Sequence, residues 1–302
     1  MVIVVNLLQG VIMTQQKNTP DVYEIVTNKM IESLESGLVP WHKPWTEGRP
    51  VNWKTQKPYQ GINPFLLPGG GEYLTYKQVQ EAGGQVKKGE HGHLITFWKM
   101  FEKKTGRKNG DGTDEIKRIP MLRYYYVFHI SQCDGIKSKR VKQEHNTIKE
   151  CEELVYGYYS RPDAPKFTHF DNGAYYSSLS DVVNVPEMCM FETPEHYYSA
   201  VFHESAHSTG HEKRLNRFVE DGDDHKFSSE SYSFEELVAE MTAAMLMGRV
   251  GSTIASRTFE NSAAYIKGWL KRLENDKRLV VKAAARAEKA AEYITGGGIT
   301  NS

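Results

Sequence analysis

Five residues restrict this chain more than anything else in it: His203-Glu204-Ser205-Ala206-His207, inside a segment of helical periodicity. Residues four apart in a helix lie one turn apart on the same face. Two imidazoles placed so can grip one divalent ion, and the Glu between them can act as general base on a bound water. With this His and Glu content the pattern arises by chance in about one chain in thirty. The helix it needs is signalled separately, because Thr193-Pro194 reads as an N-cap followed by a first-turn proline. The pentad demands a long helix with one polar face turned into the protein, and a second element to supply a third ligand.

That third ligand is sought downstream. The extended pattern with a third His six residues after His207 fails, because Gly210 is present but the position holds Lys213. His211 is adjacent, yet on a continuous helix it lies about 12 Å along the axis from His203. It could bind only if the helix broke at Gly210. Glu236, in Phe234-Glu235-Glu236-Leu237-Val238-Ala239-Glu240, is the better candidate. A second helix bringing a carboxylate to a His pair is the gluzincin arrangement, and Glu240, four residues on, has the spacing to orient His203 from behind. Ala239, Ala243 and Ala244 allow the two helices to approach closely. The competing reading makes Glu235, Glu236 and Glu240 a solvated helix face. The expected centre is His203, His207 and Glu236 around Zn²⁺, with Mn²⁺ the alternative, and Glu204 as the catalytic group.

The rest of the 302 residues divides by charge. The net charge is zero, but residues 1–150 hold 22 Lys+Arg against 15 Asp+Glu (+7), and residues 151–302 hold 16 against 23 (−7). Four of the five Trp (Trp41, Trp45, Trp53, Trp98) lie in the basic half. Such asymmetry suggests two domains with different partners. Three cysteines without a CxxC spacing exclude a disulfide scaffold and fit a cytoplasmic location. No apolar run approaches the ~20 residues of a membrane span. Residues 1–13 are apolar but lack the basic start of a signal peptide, and Met13 is an alternative natural start.

The elements expected are a helix capped by Asp21, an irregular stretch over 38–71, a short helix near 75–82, and strands over 93–101 and 121–130 joined by a long polar loop. A helix over 147–159 follows, then two strands within 165–185 joined at Asp171-Asn172-Gly173, and four more helices. The fold class is α+β in two domains: a flexible tail 1–20, an N-terminal α/β module 21–133, a linker 134–146, and a zincin-like domain 147–302 of the gluzincin type.

Two stretches, HESAHSTGHEKRLNR and YSFEELVAEMTAAML, resemble the zincin-like domain of ArdC-type antirestriction proteins, plasmid-borne factors that protect incoming DNA from host restriction. GLVPWHKPW, NWKTQKPYQGIN, YLTYKQVQEAGGQVKKGEHG and LRYYYVFHISQCDGI resemble the N-terminal domain of the same family, which binds single-stranded DNA. The resemblance spans about residues 20–295. It implies His203, His207 and Glu236 as metal ligands and Glu204 as the catalytic residue of a zinc metallopeptidase. It also implies single-stranded DNA as a partner; an unidentified protein substrate, such as a host restriction component, is the second partner expected, and no membrane is expected.

Single-strand binding needs cations for the backbone and aromatic faces for the bases. The expected DNA-binding residues are Trp41, Lys43, Trp45, Trp53, Lys54, Lys57 and Tyr59, with Lys87 and Lys88. The alternative to an enzyme is a non-enzymatic single-strand coat with a structural metal. A third reading is a plasmid-transfer accessory protein that meets a host partner through its acidic half. Tyr197, Tyr198 and Tyr232 are candidate oxyanion donors, and the 175–185 hairpin is a candidate edge for an extended substrate.

Overall fold

A computed structural model of the chain describes residues 21–36, 39–42, 49–108, 110, 113–140, 147–220, 229–251 and 263–296. The tail 1–20 expected from sequence lies outside the described residues. The first helix, α1 (Val22–Glu35), starts where the Asp21 carboxylate accepts the Tyr23 N–H. Its face of Val26, Met30 and Leu34 is fully buried. A 3₁₀ turn (Pro40–His42), β1 (Val51–Asn52) and α2 (Asn63–Leu66) interrupt the proline-rich stretch. Next come β2 (Glu72–Thr75), α3 (Tyr76–Glu81), opened by a Thr75/Gln78 capping box, and β3 (Gln85–Val86).

β4 (His93–Lys108) and β5 (Asp114–His129) form a hairpin of 16 residues per strand. The sequence predicts strands of about ten residues and a long loop. The difference has a physical reason: beyond Trp98 and Leu122 the ribbon leaves the core, so its pairing no longer needs one apolar face. β1, β2, β5 and β4 make one sheet in that order, with β1 parallel to β2 and the others antiparallel. β6 (Cys133–Asp134) pairs with β3. Residues 135–140, assigned to the linker by sequence, pack back onto this half: Glu72 accepts the Lys139 N–H.

The second half opens with α4 (Thr147–Tyr159). A three-stranded sheet follows, of β7 (Lys166–Thr168), β8 (Tyr175–Ser177) and β9 (Val182–Asn184), in the order β7-β9-β8. The Asp171-Asn172-Gly173 turn does not make the expected two-strand hairpin. It links β7 to β8, which sit on opposite sides of β9. Buried Asn184 of β9 causes this, its amide donating to Asp171 O and Gly173 O and so filling the space between them. Then come α5 (Pro194–Ser208), α6 (Arg217–Glu220), α7 (Ser229–Arg249), α8 (Ala263–Asn275) and α9 (Leu279–Ile294).

The two halves share one core. Val26, Met30, Leu34, Trp41, Leu94 and Leu122 belong to the same buried cluster as Phe202, Leu237, Met241, Trp269 and Val280. Polar contacts reinforce it, because Arg49 pairs with Glu288 at 3.1 Å with both side chains nearly buried. Burying such a pair costs solvation, which offsets much of its attraction. Among the described residues no helix is long and apolar enough to cross a membrane. The three cysteines are free thiols.

Candidate metal centre

α5 carries the pentad as expected, with Thr193 as N-cap and Pro194 in the first turn. Its back is pinned to α4 by Tyr159 to Ser205 (2.7 Å) and Tyr158 to Ser208 (2.8 Å). Its front faces α7, where Leu237, Val238, Ala239 and Met241 are completely buried. The alanines of α7 let the helices approach, and Glu236 reaches the His pair. His203 Nε2 and His207 Nε2 are 3.1 Å apart, and the Glu236 carboxylate oxygens lie 3.4 Å from each. Metal–ligand bonds of about 2.0–2.1 Å in a tetrahedron require donor separations of about 3.3 Å. Two imidazole nitrogens and one carboxylate at these separations fit a zinc-type ion with a fourth position open. Among the described residues, this is the group of His, Cys, Asp and Glu that could hold a metal ion.

His211 is not part of it. α5 ends at Ser208, and His211 Nδ1 accepts the Lys213 N–H in the turn beyond. Gly210 is needed there for a different reason from the one the sequence pattern suggests. A Cβ on it would meet the Phe218 ring at 2.5–2.9 Å. Gly210→Ala is expected to cost about 1–3 kcal/mol in a denaturant titration, the range for forced overpacking.

Glu204 is buried, and its charge acts on His207. Sequence reasoning did not single out Glu235 as a site residue. Its carboxylate stands 3.7 Å from His207 Nδ1 and is held by Arg217 at 2.5 Å. Arg217 is buried and also donates to Thr209 Oγ1 and Ala206 O. This arrangement fixes the His207 ring from its Nδ1 side and turns Nε2 toward the other donors. No pattern in the sequence pairs Arg217 with Glu235; only the turn after α5 brings them together. Glu240, expected behind His203, accepts the indole N–H of Trp41 at 2.6 Å.

The charges are coupled. Burial pulls the His207 pKa down, but the Glu235 and Glu236 carboxylates outweigh it and lift it to about 10. Burial pushes the Glu236 carboxyl up, and the two imidazoles more than reverse this, holding it well below the usual range. A cation must displace the proton kept on His207, so metal affinity should rise with pH and binding should release protons. At a free-metal concentration 100-fold above Kd the ion should stabilise the fold by about 2.7 kcal/mol. Chelation is therefore expected to lower Tm, and Glu236→Ala to remove most of that difference. An unchanged Tm in differential scanning calorimetry with and without chelator would exclude this centre as the binding site.

Residues 161–286 match the zincin-like metallopeptidase family, and residues 20–128 match the N-terminal domain of the anti-restriction factor ArdC. The metal-free crystal structure of the antirestriction ArdC protein from the R388 plasmid is 33% identical, with a TM-score of 0.72 over 92% of this chain and 98% of that one. This chain belongs to the ArdC antirestriction family. The Mn(II)-bound structure of the R388 protein matches with 30% identity and a TM-score of 0.71, over 94% of this chain and all of that one. Protein y4eC of Sinorhizobium fredii (strain NBRC 101917 / NGR234) is 30% identical over 291 residues, 91% of each chain. Two DNA primase TraC proteins of Escherichia coli are 33% and 32% identical over 295 residues, and this chain spans only 20% and 27% of their length. The α+β fold with an ArdC-type N-terminal half and a zincin-like second half is thus shown, and a divalent metal is the cofactor such a domain takes.

The residues of this ArdC relative expected to meet DNA fare unevenly. Trp41 is a core residue, 1% exposed and edge-on to Trp269 at 5.6 Å. Tyr59 is also buried, against Tyr73, and burial pushes its phenol up to about 12. Neither ring can stack a base. Trp53 is half-buried, with Lys139 Nζ 3.8 Å over its ring and its N–H on Lys137 O. Trp41 thus turns inward where helices of the second half complete its core, and Tyr59 into a smaller cluster with Leu67, Tyr73, Ile95 and Val127. Lys54, Lys57, Lys87 and Lys88 are exposed; Lys54 pairs with Glu81, and Lys87 donates to Ser131 O. Lys43 and Trp45 lie outside the described residues. Of the oxyanion candidates, Tyr197 and Tyr198 are buried, and the Tyr232 side chain is outside the described set.

Proposed function

We propose that this chain is an antirestriction protein that binds single-stranded DNA through its basic half and hydrolyses a peptide bond in a protein target at His203, His207 and Glu236. The observation that carries the catalytic part is the donor spacing of 3.1–3.4 Å with a buried Glu204 beside it. A divalent ion held there supplies Lewis-acid polarisation of a carbonyl and an acidified water. Glu204 takes a proton from the attacking water on its carboxylate and passes it to the departing amide nitrogen, which leaves as an amine. His207 is kept in register by Glu235 and Arg217. β8 lies beside α5 at the edge of its sheet, so its free backbone groups can pair with an extended peptide. The second half carries a charge of −7, which repels DNA and favours a protein encounter.

The direct test incubates the metal-loaded chain with an extract of a restricting host and sequences new protein N-termini. New termini that appear with the wild type and not with Glu204→Gln identify the target. Their absence across metals and extracts would leave the centre structural.

A further inference from the structure

The β4–β5 ribbon presents two faces of different chemistry, and we propose that one of them is the platform on which single-stranded DNA lies. This rests on the single-strand reading above and assigns it a site. Strand alternation places Ile95, Phe97, Lys99 and Phe101 on one face with Val127, Tyr125, Arg123 and Met121 of the partner strand. At the root, Ile95 and Val127 are buried with Leu67 and Tyr73. One step outward the same face leaves the core, and Phe97 is 40% exposed.

The rings form a row. Tyr125 and Phe97 meet edge to face at 5.4 Å. Phe101 follows, with Lys99 Nζ and the Arg123 guanidinium 5.3 and 5.2 Å from its centroid. Over residues 93–102 and 117–129 this face carries Lys99, Lys117 and Arg123 and no carboxylate. None of these three cations forms an ion pair among the described residues. The opposite face differs: its charged groups over the same span, Glu102 and Arg118, neutralise one another at 3.1 Å, and Tyr23 of α1 packs on its Trp98.

Phe97 is exposed, and Phe101 and Tyr125 beside it are half-buried, so ring surface on this ribbon stays open to a ligand. With unpaired cations between them these rings match the two needs of a single strand, stacking for bases and positive charge for phosphates. A duplex hides its base faces and would use only the cations. Trp41 and Tyr59 turn inward and cannot stack bases. The opposite ribbon face also exposes rings, Trp98, Tyr124 and Tyr126, but its charges cancel, so the uncompensated cations select the Phe97 face.

The test is fluorescence anisotropy of a labelled oligodeoxythymidine with the full chain, over a salt series. Phe97→Ala and Phe101→Ala should each weaken binding about 5- to 150-fold, the range of one lost stacking contact. Arg123→Gln should reduce the salt slope by about 0.7, one phosphate contact on a single strand. Phe97→Trp should restore binding, which a merely structural role of the ring would not predict. Tyr124→Ala and Met100→Ala, on the other face, should bind like wild type, and thermal unfolding checks that every variant is folded. Wild-type binding with Phe97→Ala and Phe101→Ala unchanged, or loss confined to the other-face variants, overturns the platform alone. No binding by the wild type overturns the single-strand reading and the platform with it.

Discussion

Glu204→Gln is expected to keep the fold, the ion and the affinity for single-stranded DNA while lowering peptide hydrolysis by about 10²–10⁴-fold, the usual contribution of a general base. The amide retains the size of the carboxylate and cannot take the proton. Glu204 lies outside the donor group of His203, His207 and Glu236, so metal content should be unchanged by elemental analysis. In a transfer assay into a restricting recipient, loss of DNA protection with single-strand binding intact assigns protection to chemistry. Full protection by Glu204→Gln would end the protease account of this function and support a coat with a structural metal. His203→Ala discriminates less well, because it removes a ligand and so any stability the ion supplies.

Trp41→Ala is expected to destabilise the protein by about 3–5 kcal/mol, the range for emptying a large aromatic site in a core. Trp41 is nearly inaccessible, packs on Trp269 and donates to Glu240, one turn beyond Glu236 on α7. Trp41→Phe keeps most of the volume and loses the indole N–H. It should cost about 1.5–3 kcal/mol, the worth of a hydrogen bond to a charged group. Urea unfolding of the three proteins measures both values. A Trp41→Ala protein of wild-type stability that no longer binds single strands would return this residue to the DNA surface. Trp41 ties the two halves, so the larger substitution should also loosen Glu236 and weaken metal binding.

Much of the centre was legible in the sequence because its geometry is local. His203 and His207 meet through the pitch of one helix, and Thr193-Pro194 marks where that helix begins. The carboxylate of Glu236 could be anticipated, since alanines on its helix permit close packing. The start of α1 followed from the Asp21 cap and the helical spacing of its apolar residues. Glu235 with Arg217 was not legible, because their meeting depends on a turn that Gly210 and Phe218 set.

The aromatic residues show the same boundary from the other side. A Trp or Tyr among lysines reads alike whether it stacks a base or fills a core, because composition records the chemistry of a side chain and not its direction. Trp41 turned inward because helices α7 to α9, some 200 residues later, provide the other wall of its core, and Tyr59 because Leu67, Tyr73, Ile95 and Val127 enclose it. Phe97 is exposed because the ribbon outruns the sheet that would have covered it. By itself the sequence determined the helix with its two imidazoles, the class of ion they take, and the division of charge between the halves. The tertiary structure alone decided which carboxylate stands behind His207, which indole joins the halves, and which face of the β4–β5 ribbon carries the uncompensated cations. Those depend on long-range packing, and no local periodicity encodes it.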